Sequence, residues 1–296
     1  MDALRSPGAV SPVGLWLYST LLRLRPSLCA ALAKELLGVR RRQAWLPSGQ
    51  CFWVDPVSQF GMELLTRGVY EPDMTRLLSL VLRSGDVFLD VGGNEGYFSV
   101  MAATLGRGVR VLCVEPQRRL QAVITKNLQI NRASGVSVHR LALADREGQI
   151  ELFDSPSVNT GSSSLFASAL PRLLRRIPGL SREKVPCTTL DAFLRWNEVG
   201  RVRLAKIDCE GAEGVVVRGA RQALQDRRFD FIALEYHLHI IGAEAGREVD
   251  RFLHSCGYVL TWVSERTIYH LPGLEEELRG MGELTVNARF LGGAGN

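Results

Sequence analysis

A short apolar segment that runs through an acid into a glycine-rich turn constrains this 296-residue chain most strongly. Its sequence is Val87-Phe-Leu-Asp-Val-Gly-Gly-Asn-Glu-Gly-Tyr-Phe-Ser99. Glycines permit positive φ angles and let backbone N–H groups approach a ligand closely, because they have no Cβ atom. Residues 95–106 then carry apolar side chains at helical spacing, which predicts a helix. A strand, a tight turn and a helix in this order predict a nucleotide-type cofactor site.

The spacing of polar residues in this turn indicates the charge of the ligand. A dinucleotide site has the pattern Gly-x-Gly-x-x-Gly, with the pyrophosphate at the helix N-terminus. Here the pattern is Asp90-x-Gly92-Gly93-Asn94-x-Gly96, and a carboxylate so near would repel a pyrophosphate. It suits a cationic ligand such as S-adenosylmethionine. We therefore predict that these five residues bind that cofactor, and we disfavour a nicotinamide-dependent oxidoreductase.

A second acid lies at the end of the next predicted strand. Val109–Val114 is a short apolar segment followed by Glu115, about 20 residues beyond the glycine turn, where an acid typically binds ribose hydroxyls. Two successive strands would then place acids at one edge of the sheet. The alternative is that Glu115 caps the following helix and that the glycines form an ordinary turn.

The rest of the chain alternates between strand and helix patterns, which is typical of a parallel sheet. The predicted central strands are Val87–Val91, Val109–Val114, Val136–Leu143, Val202–Ile207 and Phe229–Leu234. The predicted helices after the glycine turn are Leu120–Ile130, Ala212–Leu224 and Ala245–Cys256. Tyr258–Val263 and Leu284–Leu291 are predicted to form an antiparallel edge pair. Polar residues 154–164 and charged residues 172–184 interrupt this alternation and form either a substrate lid or a surface insertion.

Several of these segments together resemble the FkbM-type S-adenosylmethionine-dependent methyltransferases. The residues that carry the resemblance are Gly68–Asp73, Phe88–Ser99, Val114–Pro116, Ala142–Asp145, Lys206–Glu213 and Leu234–His237. The resemblance implies a Rossmann-like class I methyltransferase fold, with a mostly parallel seven-stranded sheet and an antiparallel C-terminal edge. It also implies O-methylation of a hydroxyl on a sugar or a polyketide-like small molecule. Gly93 and Glu95 depart from the family, which more often has alanine and a hydrophobic residue there.

The candidate catalytic residues follow the fourth and fifth predicted strands. Asp208 and Glu210 end one strand, Glu235 and His237 end the next, and both pairs should open onto the cofactor cleft. His237 is the predicted general base, because its ordinary pKa lies near neutrality. The alternatives are a structural histidine, with Asp208 or Glu210 orienting the substrate, or a divalent cation held by these acids with Glu213. We predict a site without a metal.

The end of the third predicted strand is expected to bind the adenine of the cofactor. Ala142 would contribute to an apolar slot, and Asp145 would accept a hydrogen bond from the adenine amino group. Asp145 could instead cap the turn that follows it. A rival hypothesis for the whole chain is a non-catalytic adaptor that keeps the fold and the cofactor site.

Composition limits the other classes of function. The formal net charge is +5, but the basic residues form no long tract with interleaved aromatic side chains, so no nucleic-acid partner is expected. The six cysteines form no Cys-x-x-Cys pair, which favours a reducing, cytoplasmic location and argues against structural zinc.

Residues 1–45 are predicted to form a basic, apolar extension before a methyltransferase domain over residues 46–296. The apolar segment Val13–Leu24 is too short to span a membrane. It is expected either to pack on the domain as a helix or to lie at a membrane surface, where its arginines would contact anionic lipid.

Overall fold

The computed structural model describes residues 10–24, 27–153, 182–263 and 266–281. The helices there are α1 (Pro12–Arg23), α2 (Ser27–Leu36), α3 (Gln59–Arg67), α4 (Pro72–Val81), α5 (Tyr97–Ala103), α6 (Arg118–Ile130), α7 (Leu190–Trp196), α8 (Glu213–Arg218), α9 (Arg221–Gln225), α10 (Leu238–Ile241) and α11 (Ala243–Ser255), with a 3-10 helix at Glu275–Met281. The strands are β1 (Arg42–Trp45), β2 (Cys51–Val54), β3 (Val87–Val91), β4 (Arg110–Val114), β5 (Val136–His139), β6 (Ala142–Ala144), β7 (Gly148–Phe153), β8 (Arg182–Thr189), β9 (Val202–Ile207), β10 (Phe229–Leu234), β11 (Val259–Val263) and β12 (Thr267–His270).

Seven of these strands form one sheet in the order β11-β12-β10-β9-β3-β4-β5. Strands β3, β4, β5, β9 and β10 pair in parallel, and β12 is antiparallel to both β10 and β11. This confirms the predicted mostly parallel seven-stranded sheet with an antiparallel edge. The chain builds outward from β3 to β5, returns to β9, and then builds in the other direction. Such a reversal leaves a crevice at the carboxyl ends of the two central strands.

The central strands are apolar because helices cover both faces of the sheet. Alternate side chains of neighbouring strands enter different cores. Phe88 and Leu204 are fully buried in one core, whereas Leu89 and Ala205 are fully buried in the other. The register pairs Phe88 with Leu204 and Leu89 with Ala205, so the pleat of the sheet sorts the side chains between its two faces.

Two predicted elements are each divided in the structure. Residues 136–143, predicted as one strand, form β5 in the main sheet and β6, which joins β7 and β8 in a separate three-stranded sheet. Residues 212–224, predicted as one helix, form α8 and α9. The break lies at Gly219, where an added Cβ would be 1.9 Å from the carbonyl oxygen of Ala144. The break between the two helices thus coincides with a close approach to β6.

The edge of the sheet differs from its prediction as well. The partner of β11 is β12, which the sequence pattern did not identify, and residues 284–291 lie outside the described residues. Residues 154–181, which include most of the predicted lid, also lie outside them, whereas 182–184 begin β8. The helix after the glycine turn is shorter than predicted and begins at Tyr97, because Gly96 has a φ of 83°.

The N-terminal segment packs closely on the rest of the chain. Strands β1 and β2 form an antiparallel hairpin, so the predicted boundary after residue 45 falls inside this hairpin. Leu21 of α1 is buried with Val39 and Val57. Among the described residues, no helix has both the length and the apolar character that crossing a bilayer requires.

Candidate functional site

A cavity of about 420 Å³ opens at the carboxyl ends of β3, β4, β9 and β10. Eight of the residues predicted for the site line it: Gly92, Asn94, Glu115, Ala142, Asp208, Glu210, Glu235 and His237. Among the described residues, four other predicted site residues do not line it: Asp90, Gly93, Gly96 and Asp145. The sheet edge therefore brings most of the predicted site together.

One wall of the cavity, called here the loop side, consists of Gly92, Asn94 and Glu115. The N–H of Gly92 donates to the carbonyl oxygen of Val114 at 2.9 Å, which fastens the glycine turn to the end of β4. Gly92 has a φ of 77°, and an added Cβ there would lie 1.8 Å from the carbonyl oxygen of Asp208. Only glycine combines this backbone angle with such a close approach.

Glu115 holds the loop side by accepting two backbone hydrogen bonds. Its Oε2 accepts from the N–H of Asn94 and its Oε1 from the N–H of Gln117, both at 2.9 Å. Burial raises the pKa of Glu115 to about 7. The carboxylate thus joins the glycine turn to Gln117, the residue that precedes α6, as the helix-capping alternative predicted. Oδ1 of Asn94, on the same wall, is buried without a hydrogen-bond partner among the described residues.

Asp90, which the sequence predicted to bind the cofactor, lies behind the turn and does not line the cavity. Its side chain is fully buried and accepts a hydrogen bond from Ser99 Oγ at 2.7 Å. Lys206 Nζ lies 3.7 Å from Asp90 Oδ1 and donates to the carbonyl oxygen of Gly92 at 2.9 Å. Asp90 therefore supports the turn from beneath through α5 and β9.

Gly93, Gly96 and Asp145 also take positions outside the cavity. A Cβ at Gly93 would lie 2.4 Å from Cys113 Sγ, and Gly96 approaches Ile124 of α6. The two glycines thus allow the turn to pack on its neighbours. Asp145, predicted to accept a hydrogen bond from the adenine, is exposed, and its Oδ2 lies 3.4 Å from Nε of Arg218. Four apolar residues line the cavity near the end of the chain segment that precedes Asp145 and on β7: Leu141, Ala142, Leu143 and Leu152.

The partner of Glu95 comes from the N-terminal segment. Arg41 donates two hydrogen bonds to the Glu95 carboxylate, at 2.8 and 2.9 Å, and Glu95 is only 1% exposed. Asn127 of α6 donates to the carbonyl oxygen of Glu95 at 2.8 Å and accepts from the N–H of Trp53 at 2.7 Å. The charged residue that departs from the family pattern therefore ties the back of the glycine turn to β2, α6 and Arg41.

The opposite wall, called here the acid side, consists of Glu71, Asp208, Glu210, Glu235 and His237. His237 Nδ1 lies 2.9 Å from Oε1 of the fully buried Glu213. The other ring nitrogen, Nε2, lies 3.5 Å from Glu210 Oε2 and 3.7 Å from Glu235 Oε1. Glu213 is the first residue of α8, and its carboxylate fixes the orientation of the imidazole ring.

Arg266 holds the acids of this wall together. Its guanidinium is buried, and Nη2 lies 2.5 Å from Glu71 Oε2, 3.0 Å from Asp208 Oδ2 and 2.9 Å from Glu235 Oε2. The sequence pattern did not identify Arg266 as a site residue. Its charge immediately before the short strand β12 is the only local signal, and its partners lie far away in the sequence.

Burial and neighbouring charges give the acid side unusual proton affinities. Burial raises the pKa of Glu210 to about 8 and that of Glu235 to about 7. Burial opposes ionisation of Asp208 as well, but Lys206 and Arg266 outweigh it and hold the pKa of Asp208 well below its usual range. Burial disfavours protonation of His237, whereas its hydrogen bond with Glu213 and the nearby carboxylates raise the pKa to about 9.

The acidic residues and the histidine of the acid side could also bind a metal ion. Within the described residues, Asp208, Glu235 and His237 offer ligand atoms within 4.8 Å of one another. Nη2 of Arg266 already contacts both Asp208 and Glu235, so a cation between those acids would have to compete with a guanidinium. The donor set is thus better matched to an ion-pair network.

Two known methyltransferases are similar in sequence to parts of this chain. Methyltransferase 1 of Beauveria bassiana is 25% identical over 192 residues, which are 61% of this chain and 74% of that protein. The hexuronic acid methyltransferase AglP of Haloferax volcanii is 27% identical over 168 residues. That alignment includes 56% of this chain and 62% of AglP, so the chain spans less than two thirds of the second relative.

A solved structure and a family model also match parts of this chain. Fibrillarin of Aeropyrum pernix, solved with bound S-adenosyl-L-methionine, is 14% identical with a TM-score of 0.38, over 66% of this chain and 72% of fibrillarin. The family described as the methyltransferase FkbM domain matches residues 90–260, which is more than half of the chain. The chain therefore belongs to the FkbM family of methyltransferases, with a Rossmann-like class I methyltransferase fold.

Proposed function

We propose that this protein uses S-adenosylmethionine to methylate a hydroxyl oxygen of a small molecule, with His237 as the general base. The observation that carries the proposal is the fixed orientation of His237 at the cavity. With Nδ1 donating to the buried Glu213 at 2.9 Å, Nε2 is the nitrogen that accepts a proton from an acceptor hydroxyl. A residue oriented by a buried carboxylate in this way loses little freedom when it reacts.

The loop side has features that fit the cofactor. Gly92 lacks a Cβ that would block the approach, Asn94 Oδ1 is a buried acceptor without a partner in the described structure, and Glu115 is an acid at the end of β4. These three residues would hold the nucleoside, against the apolar wall near Ala142. Bound there, S-adenosylmethionine would supply an electrophilic methyl group. The carboxylates of the acid side suit the positive charge that such a ligand carries.

The acceptor is proposed to be a sugar or a natural-product-like molecule with a free hydroxyl. The family supports methyl transfer, and AglP, a relative at 27% identity, is a hexuronic acid methyltransferase. In the proposed reaction, Glu210 and Glu235 orient the acceptor beside His237. The proton of its hydroxyl passes to Nε2 of His237, and Glu213 stabilises the imidazolium that results.

Mass spectrometry can test activity and acceptor class together. The protein would be incubated with methyl-labelled S-adenosylmethionine and a panel of neutral sugars, uronic acids and polyketide-like alcohols. We expect a labelled O-methyl product with the wild-type protein and none with His237→Ala, although both bind the cofactor. Cofactor binding without any product across the panel would favour the adaptor. Binding of NAD without binding of S-adenosylmethionine would favour an oxidoreductase.

Treatment with EDTA tests whether the acid side forms an ion-pair network or binds a metal ion. We expect turnover to be insensitive to the chelator, because Arg266 supplies the positive charge between Asp208 and Glu235. Inhibition by EDTA that added magnesium reverses would contradict this expectation and would assign the acids to a metal.

A further inference from the structure

Exposed apolar side chains are concentrated at the N-terminal end of the chain. Of the seven large hydrophobic side chains exposed in the described residues, six lie before residue 46 and the seventh is Trp196. Trp16 is 66% exposed and Leu36 is 88% exposed. Isolated exposed apolar residues are common on protein surfaces, but a cluster of them marks an interaction site.

The spacing of the exposed residues shows that the helices carry apolar residues on more than one face. On α1, the side chains of Val13, Trp16 and Arg23 are exposed at helical spacing. Leu17 and Leu21 of the same helix pack against the domain. On α2, Leu32 and Leu36 are exposed one turn apart. A helix that only packs on a domain needs a single apolar stripe, so the additional stripe indicates a second contact.

The positive charge of the chain, like its exposed apolar side chains, is concentrated near the N-terminus. Residues 1–45 contain seven Lys and Arg against two Asp and Glu, whereas the other 251 residues contain 29 of each. The whole formal charge of +5 therefore belongs to this segment. Lys34 and Arg41 are directed inward, where they pair with Asp55 and Glu95. Arg23 and Arg40 are exposed, and Arg40 lies 3.4 Å from Glu35.

We infer that the exposed faces of α1 and α2 bind the surface of a bilayer that contains anionic lipids. Leucine and tryptophan side chains would enter the boundary between headgroups and acyl chains, and the arginines would contact the phosphates. A nucleic acid would match the basic residues but not the exposed Trp16 and Leu36. A second copy of the chain would bring two segments of positive charge together, which repel each other.

Co-sedimentation of the full chain with vesicles tests this inference. We expect binding to vesicles of phosphatidylcholine with phosphatidylglycerol, weakening as salt rises, and little binding to phosphatidylcholine alone. The double variant Trp16→Ser with Leu36→Ser should bind about tenfold more weakly because it loses buried apolar surface. Arg23→Gln should bind roughly fivefold more weakly, and Arg40→Gln should act in the same direction.

Matched variants outside the segment control for a general loss of apolar surface or charge. Trp196→Ser and Arg279→Gln each change a similarly exposed residue and should leave vesicle binding unchanged. S-adenosylmethionine titration of each variant, with circular dichroism, verifies the fold independently of lipid. Equal binding to both vesicle types, or absence of binding to anionic vesicles, would overturn the inference. A dimer in light scattering that Trp16→Ser dissociates would also overturn it, because the face would then join two copies.

Discussion

The loop side of the cavity is held by contacts between adjacent strands, whereas the acid side is held by ion pairs between distant parts of the chain. Asn94 and Glu115, which are 21 residues apart, are joined by a backbone hydrogen bond. Arg266 joins Glu71, which is 195 residues away, to Asp208, which is 58 residues away. Two walls of one cavity thus depend on different kinds of interaction.

This difference determines how each wall responds to substitution. On the loop side, the backbone keeps its position through several hydrogen bonds, so removal of one side chain should reduce ligand affinity and little else. On the acid side, each buried charge is balanced by others. Removal of one charge leaves its partners unpaired in a region of low dielectric, which is costly. We therefore expect larger effects on the acid side.

The largest expected effect is on turnover, in His237→Ala. If His237 is the base, kcat should fall by roughly 10²–10⁴-fold with little change in cofactor affinity. Steady-state kinetics with the acceptor would measure kcat, and calorimetric titration of S-adenosylmethionine would measure cofactor affinity. Near-normal turnover would transfer the role of base to Asp208, Glu210 or Glu235.

The pH dependence of kcat sharpens this test. A base must be unprotonated, so the rate should rise with pH through the raised pKa of His237, about 9. Glu213→Gln removes the charge that raises this pKa and should move the midpoint to lower pH, towards the ordinary value. A midpoint near 7 that Glu213→Gln leaves in place would instead indicate Glu235, whose pKa burial raises to about 7.

Arg266→Met should have the largest effect on stability. The substitution leaves Glu71, Asp208 and Glu235 without their shared buried cation, and such a loss typically costs about 3–5 kcal/mol of unfolding free energy. Urea denaturation followed by circular dichroism would measure it. Arg251→Met, which removes an exposed ion pair with Glu244, is the control and should change the unfolding free energy far less, because water screens the pair. Equal losses of unfolding free energy in the two variants would show that the acid side does not depend on its buried ion pairs.

Glu115→Gln should have a smaller effect, seen mainly in cofactor binding, because the amide oxygen still accepts one of the two backbone hydrogen bonds that hold the loop side. Loss of a charge-assisted hydrogen bond should weaken S-adenosylmethionine binding by about 1.5–3 kcal/mol, with the fold intact. In the wild-type protein, the affinity should fall as pH decreases through about 7, because burial raises the pKa of Glu115 to that value and acid then neutralises it. Calorimetry across this range should show a flatter profile for Glu115→Gln. An unchanged affinity would remove Glu115 from the cofactor site.

The smallest effect on cofactor affinity is expected behind the loop, at the Arg41–Glu95 ion pair. Arg41→Leu leaves Glu95 buried without its cation and should weaken cofactor binding by displacing the glycine turn. Adding Glu95→Leu, a hydrophobic residue of the kind the family more often has there, should restore part of the affinity. The double-mutant cycle should give a coupling energy of about 0.5–3 kcal/mol. Additive effects would show that the pair does not position the turn.

The sequence predicted the sheet well because its central strands are continuous apolar segments separated by helix patterns. The bounds of β9 and β10 agree with those predicted, and the glycine turn lies where the motif indicated. The prediction was wrong where a local pattern permitted two structures. Residues 136–143 are apolar enough for one strand, yet β6 leaves the main sheet to pair with β8. Pairing partners that lie far along the chain decided this outcome.

The sequence by itself determined which residues follow the strands, and therefore which side chains gather around the cavity. Strand alternation and the shared edge of a parallel sheet are local rules, so Glu115, Asp208 and His237 could be identified without coordinates. Only the tertiary structure decided how these groups are charged and oriented. Arg266 and Glu213 set that state through contacts across the fold, because buried charges respond to whatever neighbour the folded chain places within a few ångströms.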